Sequence, residues 1–115
     1  MRFLILLVTS ASLLAAQTPA PPTGAGSTQG VPAGNVENGK KLFVDRACFH
    51  CHNTMAQGGA DGPRLAPRPI SFPAFVKLVR QPINQMPPYT AKVLSDQEIA
   101  DIYAFLLTLP PPPAV

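Results

Sequence analysis

Two thiols and two imidazoles are packed into five residues, Cys48-Phe49-His50-Cys51-His52. Two Cys separated by two residues and followed at once by His form the attachment signature of haem c. The spacing has a physical reason. The last turn of a helix brings both thiols beneath the two vinyl groups of a haem, where thioether bonds form. His52 then points a ring nitrogen at the iron from the same side. Covalent attachment retains a bulky apolar group in a domain too small to hold it by burial alone.

Other chemistry of the same residues has to be weighed. A structural disulfide suits an exported protein, but a bridge across two residues closes a tiny loop and restrains little. A redox-active pair is the stronger rival, because Cys48-Phe49-His50-Cys51 has the spacing of a thiol-disulfide oxidoreductase. Such pairs sit at a strand-to-helix junction, and no strand is expected in this sequence. Zinc needs about four ligands, and the chain holds two Cys and two His, all crowded into this one run. His50 lies between the thiols and is expected to point away from the iron, solvated or packed, where it could titrate near neutral pH.

A haem iron also has an opposite face. Of three Met residues, Met1 leaves with an exported leader, and Met55 follows His52 too closely to reach around. Met86 lies in an irregular segment stiffened by Pro87 and Pro88, which can wrap to the far side and present its thioether sulfur. The competing reading is that Met86 fills core.

Three helices are expected to position these residues. The first spans about Val36 to Ala47, with Leu42 and Phe43 apolar. The second begins near Ser71 to Pro73, where Pro suits the first turn, and runs through Phe75, Val76, Leu78 and Val79 until Pro82 breaks it. The third opens on a capping box, Ser95 with Glu98, and carries Ile99, Ile102, Tyr103, Leu106 and Leu107 at helical spacing before Pro110 ends it. No stretch alternates with a two-residue period, so a sheet is not expected. Long Gly- and Pro-rich connections separate the helices, and a cofactor held between them would account for both.

The ends read differently. Met1-Arg2 followed by the apolar run from Phe3 has the layout of a signal peptide over 1–16, with cleavage as late as 20. The apolar segment falls short of the roughly 20 residues that span a bilayer. The expectation is therefore an exported, periplasmic protein with no stable membrane insertion once the leader is cleaved, or one tethered to the membrane if it is retained. Residues 17–35 form a flexible Pro/Gly/Ser/Thr-rich linker, 36–109 the domain, and 110–115 a stiff Pro-rich tail. The chain is 115 residues long with a formal charge of +3 from scattered Lys and Arg, and has no Trp. Without a basic run, nucleic acid is not an expected partner.

The chain from about Val36 to Leu109 resembles a class I cytochrome c. Gly39-Lys40-Lys41-Leu42-Phe43 resembles that family's first helix, and Ile102-Tyr103-Ala104-Phe105-Leu106 the part of its last helix that crosses the first, with Ile102 and Phe105 at the contact. Phe105 stands where a Tyr is common. Gly62-Pro63-Arg64-Leu65 is similar to the segment whose Pro carbonyl accepts a hydrogen bond from the axial His, and Met86-Pro87 sits where the Met ligand is expected. The resemblance implies an all-α cytochrome c fold, with three main helices and long loops wrapped around one covalently attached haem c (iron).

It also implies haem binding by Cys48, Cys51, His52, Pro63 and Met86, with His52 and Met86 on the metal. The expected function is a monomeric periplasmic carrier of single electrons rather than an enzyme, meeting redox partners at an exposed haem edge. Lys77, Arg80 and Lys92 are candidates to steer acidic partners there, with scattered solvated charge equally in view. The alternatives are a cytochrome c subunit or electron-entry domain of a larger periplasmic oxidoreductase, a haem catalyst or gas sensor in which Met86 does not bind, and a thiol-disulfide oxidoreductase using Cys48 and Cys51.

Overall fold

The computed structural model describes residues 30–114. The signal peptide and most of the linker lie outside the described residues. Within them the chain forms four helices and no strand: α1 (Val36–Asp45), α2 (Cys48–His52), α3 (Phe72–Arg80) and α4 (Asp96–Thr108). The all-α expectation holds.

The expected first helix is two helices. α1 starts at Asn35, whose side chain accepts from the Asn38 N–H at 2.9 Å, which satisfies one of the donors left open at a helix start. It stops because Ala47 takes the left-handed conformation, φ 60°, a state that disfavours any residue with a Cβ. The chain then re-enters a helix at Cys48. The two pieces stay hinged through backbone bonds from Ala47 N–H to the Val44 carbonyl and from His50 N–H to the Ala47 carbonyl.

α3 carries Pro73 in its first turn and buries Phe72, Phe75 and Val79. It ends at Arg80, since Gln81 precedes Pro82 and is pushed out of the helical region. α4 has the capping box its sequence promised. Ser95 Oγ accepts from the Glu98 N–H, and Glu98 Oε2 accepts from the Ser95 N–H at 2.7 Å. Its inward face carries Ile99, Ile102, Tyr103, Phe105 and Leu106. Leu107, counted on that face from its spacing, is instead exposed.

α1 and α4 cross at very close range. A Cβ on Gly39 would sit 1.9 Å from the Asp101 carbonyl oxygen, and one on Gly34 would sit 2.3 Å from that of Ala100. One turn along, the Phe43 and Phe105 rings pack with centroids 5.7 Å apart, tilted by 57°, a favourable aromatic geometry. These are the contacts the family resemblance implied.

Asp101 was not anticipated. Its carboxylate is buried on α4 and accepts from the Asn35 N–H at 2.8 Å, Asn38 Nδ2 at 2.7 Å and Gln97 Nε2 at 3.0 Å. Burial pushes this carboxyl up, and the three hydrogen bonds outweigh it and hold it below the ordinary value of 3.8. On the other side of α4, Tyr103 donates its hydroxyl to the Ile70 carbonyl at 2.9 Å and meets Phe72 and Phe75 edge-on, binding α3 and the preceding loop.

Gly39→Ala is expected to cost at least about 1–3 kcal/mol, the overpacking range, because backbone rather than a flexible side chain stands in the way. Asp101→Asn should cost about 1.5–3 kcal/mol near neutral pH, the worth of hydrogen bonds to a charged group. A carboxylate with a lowered folded pKa stabilises above its unfolded pKa of about 3.9 and loses that contribution as pH falls through the folded value. The gap between the native protein and this variant should therefore narrow below about pH 4, read by denaturant unfolding across a pH series.

Candidate functional site

α2 opens onto a cavity of about 490 Å³, within the range that takes a cofactor-sized ligand. Cys48, Cys51 and His52 all line it. Every other helix contributes apolar wall: Phe43 from α1, Phe75, Leu78 and Val79 from α3, Ile99 and Ile102 from α4. Leu65, Ile70 and Leu94 close it from the loops.

His52 is 6% exposed, and its Nδ1 lies 2.8 Å from the Pro63 carbonyl oxygen. A carbonyl can only accept, so Nδ1 carries the proton and donates. In the tautomer this bond selects, the lone pair of the ring lies on Nε2. Gly62 makes this approach possible. A Cβ there would lie 2.9 Å from the Cys51 carbonyl oxygen and 3.0 Å from His52 Cε1 and Nδ1. The Gly62-Pro63 pair fixes both the orientation and the tautomer of the ring.

Met86 lines the same cavity and packs against the core, whereas Met55 is 40% exposed and not part of the lining. The two sulfur candidates are thus separated by position. His50 is exposed at the cavity mouth with its ring edge-on to Phe49, centroids 4.3 Å apart. Ile70 and Ile83 also border the cavity and are 49% and 67% exposed. Its charged lining comes from Arg64, Arg68 and Asp61, not from the Lys77, Arg80 and Lys92 considered from sequence.

The rival chemistries fare poorly. Burial, with a further contribution from Cys51 and against a hydrogen bond at its own backbone, pushes the Cys48 thiol up to about 11. At neutral pH it is a thiol, not the thiolate that disulfide exchange requires. Both cysteines are unbridged. Among the described residues no group of three His, Cys, Asp or Glu side chains could hold an ion, which argues against zinc. A haem does fit: an apolar cavity, two thiols, an imidazole with a free Nε2, and a thioether on one lining.

Two contributors were missed from sequence. Tyr89 lines the cavity and donates its hydroxyl to the Arg46 carbonyl at 2.6 Å, tying the Met86 segment to the hinge between α1 and α2. Burial, with the neighbouring Cys48 and Cys51, raises its pKa. Its position in Pro87-Pro88-Tyr89 was the available signal. Arg80 was read as a steering cation, but its side chain is only 19% exposed and is spent on the carbonyls of Tyr89 and Leu94.

Gly62→Ala should destabilise the haem-loaded protein by about 1–3 kcal/mol, because neither the Cys51 carbonyl nor the His52 ring can yield without losing the Pro63 bond. At Gly59 an added Cβ would come no nearer than 4.0 Å to the Cys51 carbonyl oxygen, so Gly59→Ala should stay within about 0.5 kcal/mol. Thermal unfolding of the two variants side by side is the check.

A family model described as cytochrome C oxidase, cbb3-type, subunit III matches residues 34–106. The chain is 30% identical over 71 residues to cytochrome c-555 of Methylococcus capsulatus, covering 60% of this chain and 58% of that protein. It is likewise 30% identical over 77 residues to the 4-cresol dehydrogenase (hydroxylating) cytochrome c subunit of Pseudomonas putida, covering 67% of this chain and 65% of that protein. The match thus spans about six tenths of the length of these curated relatives. No solved structure matches the chain.

Proposed function

The chain belongs to the cytochrome c family, with a covalently attached haem c as its cofactor, and on that footing we propose that it carries single electrons. The observation that carries this reading is the cavity that gathers Cys48, Cys51, His52 and Met86 on one lining. When bound, the haem supplies a ferric/ferrous couple. Cys48 and Cys51 would hold it through thioethers, and His52, through Nε2, and Met86, through its thioether sulfur, would bind the iron.

Each protein group has a defined task. The Pro63 carbonyl, by accepting from Nδ1, fixes the tautomer that leaves Nε2 for the iron and raises the basicity of that nitrogen. Thioether and imidazole ligation together would raise the reduction potential and would leave the iron no open position for a small ligand. The apolar walls from α1, α3 and α4 keep water from the buried side. The exposed Ile70 and Ile83 give the mouth a contact surface, where we place transient docking by redox proteins. No general acid, base or nucleophile is required.

We also propose export to the periplasm. The charged start and apolar run of 1–16 support it, and no described helix is long and apolar enough to cross a membrane. A second reading, a cytochrome subunit of a larger oxidoreductase, is favoured by the likeness to a dehydrogenase's cytochrome c subunit. Purification from the native exported fraction separates the two: a free carrier elutes alone, a subunit with a stoichiometric partner.

The reduced protein, exported with haem-maturation machinery, should give a haem c absorption spectrum that carbon monoxide leaves unchanged. Met86→Ala should keep the haem, lower the potential and shift its spectrum under carbon monoxide. A native protein that binds carbon monoxide would instead favour a catalyst or gas sensor with an open iron.

A further inference from the structure

The segment from Pro82 to Pro88, which carries Met86, turns at Asn84-Gln85 and makes no backbone–backbone hydrogen bond to the rest of the domain. It contains three prolines, which donate nothing, and Asn84 in the left-handed region at φ 60°. Such a stretch keeps one shape only if its ends are held. The upstream end leaves α3 directly. The downstream end is fastened at Tyr89, whose hydroxyl donates to the Arg46 carbonyl at 2.6 Å, and by one side chain that bonds the Tyr89 and Leu94 carbonyls together.

That side chain is Arg80, the last residue of α3. Its Nη1 donates to the Tyr89 carbonyl at 2.9 Å and to the Leu94 carbonyl at 2.6 Å, and Nη2 reaches Asp96 Oδ1 at 2.5 Å. Beside it, the Tyr89 N–H donates to the Val79 carbonyl at 3.0 Å. Both carbonyl bonds come from Nη1, whose two N–H groups let one nitrogen close the nine-residue and the fourteen-residue span together. The Asp96 end is 78% exposed, where an ion pair counts for little. The partly buried carbonyl bonds are the part that matters.

We propose that Arg80 is a positioning residue for Met86: by clamping the Tyr89 and Leu94 carbonyls, its guanidinium holds the thioether at the cavity. This rests on the reading of Met86 as an axial ligand. Loss of the clamp frees the segment to swing out, so the population with an open sixth position rises while the haem, Cys48, Cys51 and His52 stay in place. The apparent affinity for an added ligand scales with that open fraction, and raising it from about 1% to about 10% strengthens binding about tenfold.

The experiment compares carbon monoxide binding by the reduced, haem-loaded native protein, Arg80→Met, Met86→Ala and Asp101→Asn. Arg80→Met keeps the length of the stem and removes the donors. It is expected to bind carbon monoxide about tenfold or more tightly than the native protein, moving toward Met86→Ala. Asp101→Asn lies away from the cavity and loses stability without touching the clamp, so it should remain as inert as the native protein. A folded Arg80→Met that is as inert as the native protein, beside a reactive Met86→Ala, overturns the role of Arg80 alone. A reactive native protein, or an inert Met86→Ala, overturns the Met86 reading and this proposal with it. If Asp101→Asn opens the site equally, general loosening is the cause and the proposal fails. Should Arg80→Met not fold, Arg80→Gln takes its place. Its shorter side chain is expected to leave carbon monoxide binding measurably tighter than native, and native inertness in that variant overturns the clamp.

Discussion

At Gly39 the backbone of α1 lies against α4 so closely that one added methyl group would sit 1.9 Å from the Asp101 carbonyl oxygen. Much of the rest of the domain follows from that contact. It aligns Phe43 with Phe105, and it sets Phe43 beside Ile99 and Ile102 as one wall of the cavity. Because α2 hangs from α1 across the Arg46–Ala47 hinge, the crossing also decides where Cys48, Cys51 and His52 stand. The buried Asp101, holding Asn35, Asn38 and Gln97, keeps the start of α1 on the same partner.

A domain of this size has little apolar surface to bury, and its elements leave a space at their centre rather than filling it. A haem completes that core, and its thioethers supply what burial alone cannot. The two faces of the cavity are then governed by different physics. On one, the Pro63 carbonyl and Gly62 hold His52 through a single short hydrogen bond and a missing side chain. On the other, Met86 rides on a segment with no backbone bonds to the rest of the domain, fastened by Arg80 at the Tyr89 and Leu94 carbonyls and by the Tyr89 hydroxyl at Arg46. His52 is set locally, Met86 by contacts remote from it in the chain.

The legible parts of the sequence are those whose physics is local. Cys48, Cys51 and His52 lie within one helical turn, so their spacing alone states the chemistry. The Ser95–Glu98 capping box and the Pro110 stop likewise mark α4 to within a residue. The hinge was hidden because Ala47, unlike Gly or Asn, gives no sign of a left-handed conformation. Asp101 carried no sequence signal, since its partners Asn35 and Asn38 lie 66 and 63 positions away. Arg80 looked like surface charge for the same reason: the carbonyls it serves have no signature in sequence. Leu107 shows the converse, an apolar residue at a plausible spacing that the packing leaves outside.

The central claim is that one haem c is carried on Cys48 and Cys51. Its most direct test is the mass of the exported, mature chain after full denaturation, with the haem located by peptide mapping. The account predicts one haem per chain that denaturation does not release, on the peptide containing Cys48 to His52. Free thiols or a Cys48–Cys51 disulfide on that peptide, from cells that mature other c-type cytochromes normally, would contradict it.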